Sequence, residues 1–413
     1  MRRSTRHRHL PITYAAAAVI AAATVTACAA QVPHAARSVA RNPGITATGG
    51  TTWPGYHLGT VDFRSPSSGY GEFLSYSGSR CRLAVGATDD GGARFAAPVL
   101  VTTANCANTT PVTALTFDRF GDGFLYGPRL FVTHDGGRIW AASRQPGQVL
   151  AVAAVNRSIW MLQADCRRVN ASEGCRLRLL KSADGGRTWR PARSEPRAFA
   201  AGYGGRTQQG AAQGQSWLVR TGASSGYVAS LLAEPPASAG IAGLWFTSDG
   251  GLSWSRRPTP CTGFAAALSV APDGVLFAAC GGDPGAGQQG MTVERSANGG
   301  RSWKAEASCG IGACPYPLGN GYLGSIDAVS ASTLYLVGNR SGLLMSGDGG
   351  ARWRLVGAVT AGSDAGTSQV IFLNRFDGLV VGVDNAPPYP EQPSIWRTSD
   401  AGRRWTAVHP VIG

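Results

Sequence analysis

Short apolar runs joined by polar turns that end in glycine recur along the chain. Three stretches carry the pattern in full: TVDFRSPSSGYGEFL at residues 60–74, ALTFDRFGDGFLYG at 114–127 and QVIFLNRFDGLVVG at 369–382. SIDAVSASTLYLVG (325–338) and ALSVAPDGVLFAAC (267–280) are weaker versions. Each run is strand-length and each turn carries residues that reverse a chain, so every stretch predicts a β-hairpin. A third apolar run then leads into an eight-residue polar turn, and an aromatic residue opens a fourth. The unit is four antiparallel strands.

The polar turn is almost the same each time. SADGGRTW begins at Ser182, THDGGRIW at Thr133, TSDGGLSW at Thr247, SANGGRSW at Ser296, SGDGGARW at Ser346 and TSDAGRRW at Thr398, with a worn copy, TDDGGARF, at Thr88. The starts step by 45, 49, 65, 49, 50 and 52 residues, and self-similarity at such a period marks a repeat architecture. Seven four-stranded units with short turns predict an all-β fold, a single seven-bladed β-propeller over residues 53–413. The last unit supplies four strands of its own (QVIFLN, GLVVG, SIWRTS and RWTAVHP), and the first is complete from about Gly59. No strand exchange between the ends is required.

In the octamer a hydroxyl and an Asx side chain accept backbone N–H groups a few residues on, while glycine supplies the positive φ of a tight reversal. The closing tryptophan, Phe95 in the first copy, buries a large apolar area. Asp90, Asp135, Asp184, Asp249, Asn298, Asp348 and Asp400 are therefore expected to be structural. None has the ladder of carboxylates that a calcium loop needs, so neither metal nor cofactor is expected. The octamer resembles the Asp-box, or BNR repeat, of sialidases and related propellers. That resemblance implies that each box joins the third and fourth strands of a blade.

Outside the repeats, residues 1–27 have a basic start, an alanine-rich apolar run and small residues before Cys28. The run is too short to span a bilayer and reads as a secretory signal. Val25-Thr26-Ala27-Cys28 resembles the bacterial lipobox, which implies that Cys28 is lipidated and becomes the new N-terminus, anchored to the outer face of the cell membrane. Residues 28–52 carry no periodicity and are expected to be a flexible tether.

Nine cysteines less Cys28 leave eight, an even number that suits an oxidising compartment. Nearest neighbours fall in hairpin-compatible places, giving Cys81–Cys106, Cys166–Cys175, Cys261–Cys280 and Cys309–Cys314, although sequence does not fix the connectivity. Zinc spacing is absent. The formal charge of +14 falls to +10 once Arg2, Arg3, Arg6 and Arg8 leave with the signal. No dense basic stretch remains, so nucleic acid is not an expected partner, and the chain is expected to be monomeric.

Strand order divides the ring into two faces. First-to-second and third-to-fourth turns share one, with the octamers. Second-to-third turns and the links between blades share the other, where all eight cysteines and the long insertions fall. Tyr203, Arg206, Tyr316, Tyr322 and Tyr389 lie in those insertions and are the candidate contact residues.

Sialidase resemblance implies an arginine triad, a Tyr–Glu nucleophile pair and an Asp acid/base on six blades. Here Arg64 mimics the first arginine but sits at the octamer end of its strand, where Arg119 and Arg375 recur. Xyloglucanase-like propellers place their paired carboxylates between two rings. The sequence is more similar to single-propeller, non-catalytic BNR proteins, including those resembling photosystem-II stability and assembly factors. The expected role is binding an envelope protein or a cell-wall glycan, with no catalytic residue; the alternative is a sialidase-like or other glycoside hydrolase.

Overall fold

The computed structural model describes residues 56–105, 113–145, 147–165, 175–194, 199–200, 216–231, 241–261, 265–285, 288–310, 318, 321–339, 342–356, 359, 367–384 and 392–413. These form seven antiparallel blades and no helix. Blade 1 is Tyr56–Phe63, Gly69–Ser77, Arg80–Thr88 and Val99–Asn105, and blade 2 is Ala114–Phe117, Gly123–Tyr126, Leu130–Thr133 and Ala141–Ala142. Blade 3 comprises Gln148–Val155, Ser158–Asp165, Cys175–Ser182 and Arg190–Pro191, with Phe199–Ala200 also pairing with its third strand. Blade 4 comprises Ser216–Arg220, Gly226–Leu231, Ile241–Thr247 and Ser255–Arg257. Blade 5 runs through Ala265–Val270, Leu276–Gly285, Gln288–Ser296 and Lys304–Cys309. Blade 6 runs through Tyr322–Ala328, Leu334–Asn339, Gly342–Ser346 and Arg354–Leu355, and blade 7 through Thr367–Phe372, Gly378–Asp384, Gln392–Thr398 and Thr406–Val408. First strands of neighbouring blades pack together, so they are the innermost.

Among the described residues seven hydrophobic clusters hold this ring, one in each joint between neighbouring blades. Phe124, Val149, Ile159 and Met161 fill the joint of blades 2 and 3, while Leu125, Tyr70, Leu83 and Phe117 fill that of blades 1 and 2. Adjacent residues of one strand point into different joints because side chains alternate across a sheet. Both faces of each blade are thus buried, which is why these strands read as continuous apolar runs. The closing joint sets Leu379, Val381 and Ile395 of blade 7 against Val61, Phe63, Phe73 and Phe95 of blade 1.

Both end blades have four strands of their own, yet the ring carries a closure with no counterpart in the repeat. Val411–Ile412 pairs in parallel with Arg94–Phe95. The N–H of Val411 donates to Ala93 at 3.0 Å and that of Gly413 to Phe95 at 2.9 Å.

Candidate binding face

All seven octamers adopt one hydrogen-bonded turn. The leading hydroxyl donates to the Asx Oδ1, at 3.0 Å for Thr88 to Asp90 and 2.6 Å for Ser182 to Asp184. It also accepts the N–H of the glycine four residues on, as Gly92 donates to Thr88 at 2.9 Å. The same Oδ1 accepts an N–H from the residue four past the Asx, as in Arg94 to Asp90 at 2.9 Å and Ser302 to Asn298 at 3.0 Å. Asn298 fits because this role needs one carbonyl-type oxygen, and its amide also donates to Ser302 Oγ at 2.8 Å.

Converging donors hold the carboxyls of Asp184, Asp249, Asp348 and Asp400 below the ordinary aspartate range. For Asp184 the chief cause is the Ser182 hydroxyl, then Thr188. For Asp249 it is Ser253. The Arg352 N–H and then its guanidinium bring Asp348 down to about 2.

Six of the seven turns are latched to the hairpin turn beside them by a backbone bond. Gly91 donates to Ser67 at 2.7 Å, Gly136 to Gly121 at 3.1 Å and Gly250 to Ser224 at 2.6 Å. Octamers and first-to-second turns therefore form one continuous, internally bonded face. Asp135, Asp249, Asp400 and their equivalents are spent inside it.

The other face carries Cys81, Cys261, Cys280 and Cys309. Cys261, just past the last strand of blade 4, is bonded to Cys280 in the second strand of blade 5, with Cα atoms 5.2 Å apart. Cys81 is the second residue of the third strand of blade 1 and Cys309 closes the fourth strand of blade 5; both are disulfide-bonded. Tyr322 begins the innermost strand of blade 6 and is exposed. Nearby, Gln289 is buried, donating to Gly282 at 2.8 Å and accepting the Leu323 N–H at 3.3 Å. Cys28, Cys106, Cys166, Cys314, Tyr203, Arg206, Tyr316 and Tyr389 lie outside the described residues, and Cys175 is described only as part of its strand.

Acidic groups in the joints went unnoticed in the sequence. Asp62, on the innermost strand of blade 1, accepts the Phe117 N–H at 2.6 Å, and burial pushes its carboxyl up to about 6. Glu72 is buried, accepts from the Thr113 hydroxyl and the Thr60 N–H, and is pushed up to about 7 by desolvation. Asp327 repeats the Asp62 arrangement in blade 6, with the Phe372 N–H at 2.6 Å and a carboxyl raised to about 6 by burial. Asp122, also buried, meets His134 Nδ1 at 2.8 Å and Arg187 of blade 3 at 3.6 Å. Among the described residues no group of three or more His, Cys, Asp or Glu side chains is placed to hold a metal ion.

No family model and no curated protein matches the sequence. Solved structures resemble it in fold. YCF48 bound to D1 peptide superposes with a TM-score of 0.51 at 17% identity, covering 82% of this chain and 96% of that one. A PL25 ulvan lyase gives 0.51 at 11% identity, over 86% of this chain and 96% of the lyase. The GH74 enzyme of Niastella koreensis gives 0.50 at 15% identity, over 88% of this chain and 67% of the enzyme. At these identities the likeness shows a β-propeller and no more.

Proposed function

We propose that the chain is a non-catalytic binding scaffold of the bacterial cell envelope, with its octamers acting as structural Asp-boxes and its opposite face contacting an envelope protein or a cell-wall glycan. The observation that carries this reading is the gathering of Cys81, Cys309, the Cys261–Cys280 bridge and exposed Tyr322 at one end of the strands. Bridges stiffen loops and reduce the ordering cost of binding, a benefit the ring does not need for closure. YCF48, of the same fold, is described bound to a D1 peptide, so the architecture accommodates a protein ligand. Pull-down with the mature domain, against a Tyr316/Tyr322/Tyr389→Ala triple variant, tests the face. Equal recovery of the same partners by both baits would overturn the reading.

Anchoring is the second part of the proposal. Cys28 carries the lipid, so metabolic labelling with a fatty acid marks the wild type and processing is blocked by globomycin. A Cys28→Ala protein that still fractionates with membranes, unlabelled, refutes the anchor.

One observation favours the hydrolase alternative. Glu72 at about 7 and Asp62 at about 6 have the protonation that a general acid needs near neutrality. Against it, Asp62 and Asp327 make the same bond to the next blade, which is a structural duty. A fluorogenic sialoside and a polysaccharide panel decide: turnover abolished by Glu72→Gln with the fold intact would reverse the preference.

A further inference from the structure

Every blade ends in an outer strand, and six of the seven are poor templates for another strand. Outer strands leave a row of N–H and C=O groups outside the ladder, and proteins guard such rows with shortness, charge or proline. Ala141–Ala142, Arg190–Pro191 and Arg354–Leu355 have two residues each, and Ser255–Arg257 and Thr406–Val408 have three. The six-residue Lys304–Cys309 carries a Lys304–Glu306 ion pair at 2.8 Å.

Blade 1 breaks this rule. Its outer strand, Val99–Asn105, is the longest at seven residues, reads VLVTTAN, and has neither charge nor proline. No described strand pairs with its outer side. Register fixes what the strand displays. Ala84 lies opposite Leu100, Arg82 opposite Thr103 and Arg80 opposite Asn105, so these side chains share one face of the sheet. Leu100 is 53% exposed, and Thr103, Arg80 and Arg82 are exposed with it. At the octamer end the same blade already accepts a strand, since Val411–Ile412 adds to Arg94–Phe95.

We propose that Val99–Ala104 is a docking edge for an extended acidic segment of a partner protein, which adds to blade 1 as a fifth strand. Main-chain bonds to the open edge supply affinity, and alternate side chains supply specificity, as in other strand additions. An added strand lies two inter-strand spacings, about 10 Å, from the third strand. A glutamate on it and Arg82 or Arg80, each extended toward the other, bridge that gap. An apolar side chain falls beside Leu100. Because strand side chains alternate, the segment carries its acids two residues apart. This surface is separate from the loop face, and its failure would leave the preceding reading standing.

The test uses the mature protein and three fluorescein-labelled heptapeptides: one alternating valine with glutamate, one with lysine replacing glutamate, and the glutamate peptide N-methylated at alternate amides. Anisotropy titration is expected to favour the glutamate peptide by about tenfold over the lysine peptide, since like charges facing each other are penalised. N-methylation, which removes the main-chain donors, abolishes binding. Arg80→Glu/Arg82→Glu reverses the preference between the two charged peptides, and Leu100→Lys weakens both while leaving thermal stability unchanged. Equal binding of the N-methylated peptide, an unchanged preference in the double variant, or no binding of any peptide would overturn the proposal. So would a dimer by light scattering that Leu100→Lys dissolves and the glutamate peptide cannot displace, which would assign the edge to a second copy.

Discussion

The backbone N–H of Phe117 donates to the carboxylate of Asp62 at 2.6 Å, tying the innermost strand of blade 2 to that of blade 1. Phe372 and Asp327 repeat the bond between blades 6 and 7, and Ala328 donates to Ser269 at 3.0 Å between blades 5 and 6. In each case the penultimate side chain of one first strand receives the final N–H of the next. Short polar side chains at this position satisfy a backbone donor that would otherwise be stranded in an apolar joint.

That arrangement makes stability depend on pH. Asp62 and Asp327 stand at about 6 and Glu72 at about 7, all above their unfolded values, so the native state holds protons that the unfolded chain releases. Their contribution is complete below the unfolded pKa and is lost as pH rises through 6 to 7. Asp184, Asp249, Asp348 and Asp400, held below the ordinary aspartate range by their hydrogen-bond donors, stay ionised throughout that window. Melting temperature is therefore expected to fall between about pH 5 and pH 8. Glu72→Gln should flatten the profile. A profile that rises over this range contradicts the burial argument.

Octamer chemistry predicts a contrast between two substitutions at Asp184. Alanine removes the acceptor of the Ser182 hydroxyl and of the Thr188 N–H and hydroxyl, at 2.6, 2.9 and 2.6 Å. The expected loss is about 1–3 kcal/mol by denaturant unfolding. Asparagine keeps one oxygen in place, as Asn298 does in blade 5, and should recover most of that loss. Equal losses for the two variants would mean that charge, rather than turn geometry, holds the octamer.

Ala401 takes φ of 61° where the other six octamers place a glycine. Left-handed backbone costs a residue with a Cβ about 1–2 kcal/mol, part of which glycine's greater unfolded-state freedom offsets. Ala401→Gly is expected to stabilise the protein by about 0.5–1 kcal/mol. A loss of stability would show that the methyl group packs favourably.

The Cys261–Cys280 bridge, with a sequence separation of 19, ties the blade 4–5 link to blade 5. Chain-entropy reasoning for a loop of that size gives about 3 kcal/mol. A Cys261→Ala/Cys280→Ala variant is expected to lose that order of stability in calorimetry and to retain the β spectrum in circular dichroism. No measurable loss would mean that the link is already ordered by Cys261's packing among Leu276 and Ala278.

The seven blades were legible because each octamer demands particular residues at fixed spacing, and because burial of both blade faces writes continuous apolar runs. What joins the blades was not. Asp62, Ser269 and Asp327 differ in type and share only a register position, which a sequence displays solely after its strands are aligned in space. Glu72 falls where other blades place Leu162, Ala229 or Val381, and nothing local marks it as buried. Of the five candidate contact residues only Tyr322 is among those described. Its exposure followed from strand direction, since a first strand begins on the face opposite the octamers.

Ring closure gives the last prediction. Apart from the joint itself, blade 7 is held to blade 1 by Arg397, whose guanidinium donates to Asp90 O at 3.3 Å and to Pro66 O, and by the parallel pairing of Val411–Ile412 with Arg94–Phe95. Ile412 packs into the closing cluster beside Phe95, whereas Val411 is 46% exposed. Removing residues 411–413 deletes two backbone bonds and this apolar contact, so the expected cost is about 1–3 kcal/mol. Because a ring opens most readily where fewest bonds must break, the truncated protein should also unfold faster at unchanged refolding rate, as measured by stopped-flow fluorescence. Ile412→Ala should reproduce part of the loss and Val411→Ala almost none. Equal effects of the two alanines, or a truncation with the wild-type unfolding rate, would mean that the closing joint holds without its terminal strand.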